Sequence, residues 1–185
     1  MRKLAARILG TLKHLLRGDV PTETLIQMGL TVGKNFNRRE RCIIDFSHCW
    51  LIEIGDNVTF APNVVILAHD ASTKNLIGYT RIGRVTIGDN VFIGAGSIVL
   101  PNVTIGDNVV IGAGSIVSHN IPSNSVAVGN PCKVTGDITD FISKNEKLLK
   151  ENPVFEKEYT LTGKISTQMK DEMLEKLLNT VGYIR

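Results

Sequence analysis

Four histidines and three cysteines are the residues best equipped for chemistry in this 185-residue chain. His69 stands apart from the rest. It follows Ile66 by three, at a corner facing outward, and opens a polar stretch, AHDASTKNLIGYTRIGR, between two regular segments. A neutral imidazole, with an unperturbed pKa of about 6.5, can take the proton of a hydroxyl that is a poor nucleophile at neutral pH. Asp70 adjoins it, but successive residues of an extended chain point to opposite sides, so direct pairing is not expected. Asp70 is read instead as ordering the loop or contacting an acceptor. His48, in DFSHCW, precedes a regular coil and is open between lining a site and being bland. His14 and His119 read as surface and turn residues. Cys42, Cys49 and Cys132 cannot all pair, and their spacing fits no zinc or redox motif. They read as reduced thiols in a cytoplasmic protein.

The elements that must hold these residues are written in a repeat. Residues 85–102, VTIGDNVFIGAGSIVLPN, return as residues 103–120, VTIGDNVVIGAGSIVSHN, differing only where Phe92, Leu100 and Pro101 become Val110, Ser118 and His119. The period of 18 divides into hexads, with Ile87, Ile93, Val99, Ile105, Ile111 and Val117 six apart. Small or branched residues follow four later at Val91, Ser97, Val103, Val109, Ser115 and Ile121. A period of six suits neither a helix nor a long strand. It predicts a short strand, a sharp turn and another short strand, three of which close a triangular coil. Gly and Asn fall where the backbone needs positive φ. A thin prism has no room for bulky rings, which accounts for 17 glycines and only 5% aromatics. The register recurs at Ile54, Phe60 and Ile66, but Ile66 to Ile87 is 21 steps, so a loop is inserted at about 69–84. Before Ile52 the register fades, with Val32-Gly33 and Ile44-Asp45 as degenerate hexads.

The expected organisation is therefore an all-β solenoid over residues 30–135, an N-terminal helical segment over 1–29 and a C-terminal helical segment over 136–185. A solenoid needs end caps. Residues 2–17 place Leu4, Ile8, Leu12, Leu15 and Leu16 at helical spacing, and residues 138–151 and 166–180 also read as helices, the second starting at Ser166. The first helix is either a cap or a basic amphipathic helix touching an anionic membrane surface through residues 1–18.

Charge is uneven. Residues 1–41 carry nine Lys/Arg against three acids, residues 42–136 four against six, and residues 137–185 eight against nine. The solenoid surface is thus nearly neutral, which argues against a nucleic-acid partner. The uncharged stretch 108–132 carries Asn, Ser, Gly, His and Pro every few positions, unlike a membrane span. Lys13 and Arg17 break the N-terminal apolar run and no A-x-A site follows, so no secretory leader is expected.

The repeat, the loop after His69 and the segment GNPCKV at 129–134 together resemble the hexapeptide-repeat acyltransferases, closest in look to the galactoside and maltose O-acetyltransferases. The resemblance covers about residues 30–135. It implies a left-handed parallel β-helix, a winding that breaks the usual right-handed crossover rule. It also implies a homotrimer with active sites between subunits and acetyl-CoA as co-substrate, with no metal. His69 matches the family's catalytic histidine. The family's oxyanion residue, often Ser, corresponds to Ala95, which offers only its backbone N–H. Ala95, Ala113 and Ser118 match positions along the coenzyme's extended arm, and Lys133 matches a position near the nucleotide phosphates. Asp45, in IIDFS, lies where sugar acetyltransferases place an acceptor-binding residue; Trp50 and Tyr79 are candidates for stacking on a sugar face, and Asp70 for contacting it.

The implied function is acetyl transfer from acetyl-CoA to a hydroxyl of a sugar or polysaccharide precursor, in the cytoplasm. N-acetylation of an amino sugar or a serine-type acceptor is the alternative within the class. Outside it stand a non-catalytic trimeric scaffold and a γ-carbonic-anhydrase-like metalloprotein. The latter needs three His ligands, two of them close in sequence, and His48, His69 and His119 lack that spacing.

Overall fold

The computed structural model describes residues 20–185. Helical expectations for residues 2–17, and the membrane contact attached to them, lie outside the described residues. The chain forms two compact units, one up to Ile138 and one over Thr139–Arg185.

In the first unit the chain visits three sheets in turn. Thr31–Val32, Ile52–Ile54, Val85–Ile87 and Val103–Ile105 stack in parallel on the first face. Asn37–Arg38, Thr59–Phe60, Phe92–Ile93, Val110–Ile111 and Ser125–Val128 stack on the second. Ile43–Ile44, Val65–Ile66, Ile98–Val99 and Ile116–Val117 stack on the third. Lys133–Asp137 closes the second sheet in antiparallel pairing with Ser125–Val128. This is a three-sided parallel β-helix, each strand hydrogen-bonding to the coils before and after it.

The hexad residues are the core. Ile93, Val99, Ile105, Ile111 and Val117 are fully buried, as are the branched or small residues four later, Ser97 and Ser115 included. Each buried aliphatic side chain contributes about 1.5–3 kcal/mol. The two interior serines are satisfied: Ser97 Oγ donates to the Gly112 carbonyl at 3.0 Å and Ser115 Oγ to the same carbonyl at 2.6 Å.

The repeated Gly-Asp-Asn explains one corner. Asn35, Asn57, Asn90, Asn108 and Asn124 all adopt positive φ, between 56° and 60°. Their amides form a ladder, each Nδ2 donating to the next Oδ1 at 2.9–3.1 Å. Asp56, Asp89 and Asp107 each accept a backbone N–H from the preceding coil at 2.6–2.8 Å. Gly88 before them is required by close approach: a Cβ there would lie 2.2 Å from Asp107 Oδ1.

In the second unit, helix Ile138–Glu151 is followed by a parallel pair, Val154–Phe155 with Tyr183–Ile184, and by helix Thr167–Lys176. Ser166 caps the latter, its Oγ accepting the Met169 N–H at 3.2 Å. That helix ends at Lys176, short of the expected 180, because Leu177 leaves the helical conformation. Among the described residues no helix is long and apolar enough to cross a membrane.

Candidate active site

The passage from the third face back to the first is where the coil departs from regularity. Val99 to Val103 and Val117 to Ile121 take four steps, whereas Ile44 to Ile52 takes eight and Ile66 to Val85 takes nineteen. Two enlarged corners therefore stack on one edge. The first carries Asp45, Ser47, His48 and Trp50; the second opens with His69.

His69 and Asp70 pair in antiparallel fashion with Arg81 and Ile82, forming the neck of the loop. Between them lie a turn of 3-10 helix at Ala71–Thr73 and a short helix at Lys74–Ile77. Asp70 Oδ1 accepts the Ser72 N–H at 2.9 Å, and its carboxylate lies 3.1 Å from Arg81. The Ser72 backbone bond and Arg81 hold this carboxyl below its ordinary pKa. Thr73 Oγ1 donates to the Tyr79 carbonyl at 2.7 Å, while Tyr79 as a residue is 76% exposed.

Asp45 is turned inward. It is 4% exposed, and its carboxylate is fully engaged by the protein. Oδ1 accepts the Ser47 hydroxyl at 2.7 Å and the Ser47 N–H at 3.1 Å. Oδ2 accepts the Ala68 N–H at 3.0 Å and lies 2.5 Å from His69 Nδ1. Burial pushes the carboxyl pKa up, but the bonds from Ser47, His69 and Ala68 outweigh it and hold the group ionised, below its ordinary range. A carboxylate only accepts, so His69 carries a proton on Nδ1, which leaves Nε2 as the basic nitrogen of the neutral ring. Asp45, expected to contact the acceptor, has its carboxylate oxygens directed at Ser47, Ala68 and His69.

Ser47 and His48 join the same cluster. Ser47 Oγ lies 3.0 Å from His48 Nδ1 and 3.3 Å from His69 Nδ1. The rings of His69 and His48 are 5.3 Å apart and those of His48 and Trp50 5.4 Å apart, with Trp50 57% exposed. Asp45, His48 and His69 offer ligand atoms within 4.8 Å of one another. The Ser47 hydroxyl lies within 3.3 Å of all three side chains. Ser47 was missed in the sequence; the one available signal was the Asp-x-Ser-His pattern at a corner with a broken register.

The remaining candidates lie elsewhere on the prism. Ala95 and Ala113 are exposed and stacked at the corner between the second and third faces, the Ala95 carbonyl accepting the Gly114 N–H at 2.8 Å. Ser118 lies on the His69 edge, in the register of Leu67 and Leu100, and its Oγ is 2.9 Å from His119 Nδ1. Lys133 is exposed where the closing strand begins. Cys42, Cys49 and Cys132 are buried and not joined in disulfides, and burial pushes the Cys132 thiol pKa up.

Comparison with known proteins agrees with this architecture. Residues 84–119 match the family described as bacterial transferase hexapeptide (six repeats). A putative acetyltransferase of Dictyostelium discoideum is 42% identical over 74% of this chain and 81% of its own length. A solved galactoside acetyltransferase in complex with coenzyme A is 33% identical over 72% of this chain and 80% of that one, with a TM-score of 0.52. A maltose O-acetyltransferase from Clostridium difficile 630 is 51% identical over 60% of this chain and 59% of that one, with a TM-score of 0.53. Against other curated relatives the chain spans about half their length, 47% and 54% in two cases. The hexapeptide-repeat structures imply that the coil winds left-handed. A chain that repeats the hexad through three parallel sheets, and that matches acetyltransferases over most of their length, belongs to the hexapeptide-repeat acyltransferase family.

Proposed function

We propose that this protein is an acetyl-CoA-dependent O-acetyltransferase acting on a hydroxyl of a sugar or polysaccharide precursor, with His69 as its general base. The observation that carries the reading is the buried, ionised Asp45 at 2.5 Å from His69 Nδ1, in a chain related to galactoside and maltose acetyltransferases. Asp45 fixes the imidazole with its basic Nε2 free and stabilises the imidazolium formed when that nitrogen takes the hydroxyl proton. The oxygen attacks the thioester carbonyl, a carbon–oxygen bond forms and the carbon–sulfur bond breaks. The imidazolium proton passes to the departing thiolate, giving the O-acetyl ester and free coenzyme A. No cysteine is used. A positioned base of this kind contributes on the order of 10²–10⁴ in rate.

In this reading the enzyme is a cytoplasmic homotrimer. Ala95 and Ala113 stand at a different corner from His69, separated by one face of the prism. Ala95 and Gly96 form the turn, and the stretch from Ser97 to Leu100 then spans roughly 10 Å. If the coenzyme's arm lies along Ala95 and Ala113 and reaches a histidine, that histidine belongs to a neighbouring copy. Small exposed corners suit an extended amide-bearing arm, Ser118 lies along the His69 edge, and Lys133 is free to meet the nucleotide phosphates. Trp50, Tyr79 and the loop at 69–84 line the acceptor side.

The test incubates the protein with acetyl-CoA and a panel of simple sugars, nucleotide sugars, amino sugars and serine, following free thiol release. Transfer to hydroxyl sugars, lost by 10²-fold or more in His69→Ala, supports the reading. Selective transfer to amines replaces it with N-acetylation, and activity of His69→Ala within about threefold of wild type ends the general-base assignment.

A further inference from the structure

We propose that Ser47 and His48 are working parts of this site: Ser47 fixes His48 as the Nδ1–H tautomer, so that His48 Nε2 becomes a second hydrogen-bond acceptor beside His69, suited to an acceptor with two neighbouring hydroxyls. The proposal rests on the acetyltransferase reading for its substrate and on proton counting for its geometry. Ser47 Oγ has one hydrogen and three polar neighbours: Asp45 Oδ1 at 2.7 Å, His48 Nδ1 at 3.0 Å and His69 Nδ1 at 3.3 Å. The hydrogen goes to the ionised carboxylate, because a charged acceptor makes the shorter and stronger bond. Having donated it, the hydroxyl oxygen can only accept from His48, which therefore bears its proton on Nδ1. His69 is fixed in the same tautomer by Asp45 Oδ2 at 2.5 Å. One buried carboxylate thus sets both rings, His69 directly and His48 through Ser47.

In its neutral form each imidazole then has its free lone pair on Nε2, and the two ring centres are 5.3 Å apart. Each can accept one O–H. Two such acceptors on adjacent rings can take the two O–H groups of a vicinal diol, one each. His69 takes the proton of the hydroxyl that reacts; His48 holds its neighbour. Beyond His48 the exposed Trp50 ring, 5.4 Å away, continues the surface with an apolar face for the sugar's C–H groups.

Two measurements test this in the full chain. In long-range nitrogen–proton correlation spectra, recorded above the imidazole titration range, both His48 and His69 are expected with Nδ1 protonated. Ser47→Ala should release His48 from that tautomer and leave His69 in it. A wild-type His48 protonated at Nε2 overturns the proposal. The second measurement uses pairs of acceptors that differ only in the hydroxyl next to the acetylated one, present or replaced by hydrogen. A single hydrogen bond predicts that wild type prefers the diol by roughly three- to tenfold in kcat/KM. His48→Ala should erase that preference, and His48→Gln, whose amide oxygen also accepts, should keep part of it. A purely structural His48 would lower both acceptors alike, and an unchanged preference in His48→Ala overturns the diol assignment. Absence of transfer to both members of every pair would defeat the acetyltransferase reading and the diol assignment with it, while the spectra judge the Ser47–His48 link alone.

Discussion

Nδ1 of His69 lies 2.5 Å from Oδ2 of Asp45, although 24 positions separate the two in sequence. The coil brings them together because Asp45 and Leu67 occupy the same register on adjacent coils, Asp45 N–H donating to the Ile66 carbonyl at 2.9 Å. Asp45→Asn removes the charge that stabilises an imidazolium and permits the opposite tautomer. It is expected to lower kcat by on the order of 10²–10⁴, with little change in the KM for acetyl-CoA. The double variant with His69→Ala should cost no more than His69→Ala alone, since the two act as one unit. Steady-state kinetics on the three variants checks both statements.

The same carboxylate makes stability depend on acid. Its pKa in the fold lies below the ordinary carboxylate value, so the folded state binds its proton less readily than the unfolded chain. The contribution is complete above the unfolded pKa, about 4, and is lost as pH falls through the lower folded value. Asp45→Asn should therefore be less stable than wild type at neutral pH by about 1–3 kcal/mol. The gap should close below about pH 4. Urea unfolding of both proteins across that range reads the difference; a constant gap would refute the linkage.

Neighbouring residues of one strand should respond very unequally to truncation. In Val103–Ile105 the side chains alternate, with Ile105 fully buried and Thr104 exposed. Ile105→Ala leaves a cavity among stacked hexad residues and should cost about 2–5 kcal/mol. For a chain of this length that is a fall of roughly 4–20 °C in the melting midpoint. Thr104→Ala should stay within about 0.5 kcal/mol. Thermal melts of the pair test the inward register residue by residue.

The prism was legible because its rule is local: a hexad needs a buried aliphatic, a corner needs Asn or Gly, and both recur without interruption from Val85 to Asn120. Ser166 at the start of the last helix was legible for the same reason, since a cap depends on its own next three residues. The site was only half legible. His69 announces itself by opening an insertion in a regular pattern. Its partner does not, because Asp45 opens a corner whose eight-step detour blurs the register, and no local spacing predicts which residue the next coil will set against it. Asp70 illustrates the converse. Adjacent to His69 in sequence, it spends its carboxylate on Ser72 and Arg81 at the neck of the loop.

That neck carries the last prediction. Asp70 and Arg81 form an ion pair at 3.1 Å, with Arg81 largely exposed, so the pair is expected to add little to global stability. Its effect is local. The pairing of His69 with Ile82 and of Asp70 with Arg81 sets where the loop leaves the coil, one residue from the imidazole. Arg81→Ala should leave the melting midpoint essentially unchanged while raising the KM for the acceptor and loosening the loop. Because the pair is exposed, salt should act like the mutation: at about 1 M ionic strength, where screening acts over about 3 Å, wild-type KM should rise toward the variant's. The variant's KM should stay nearly flat over the same range. If both respond to salt equally, the sensitivity arises elsewhere and the ion pair does not position the loop.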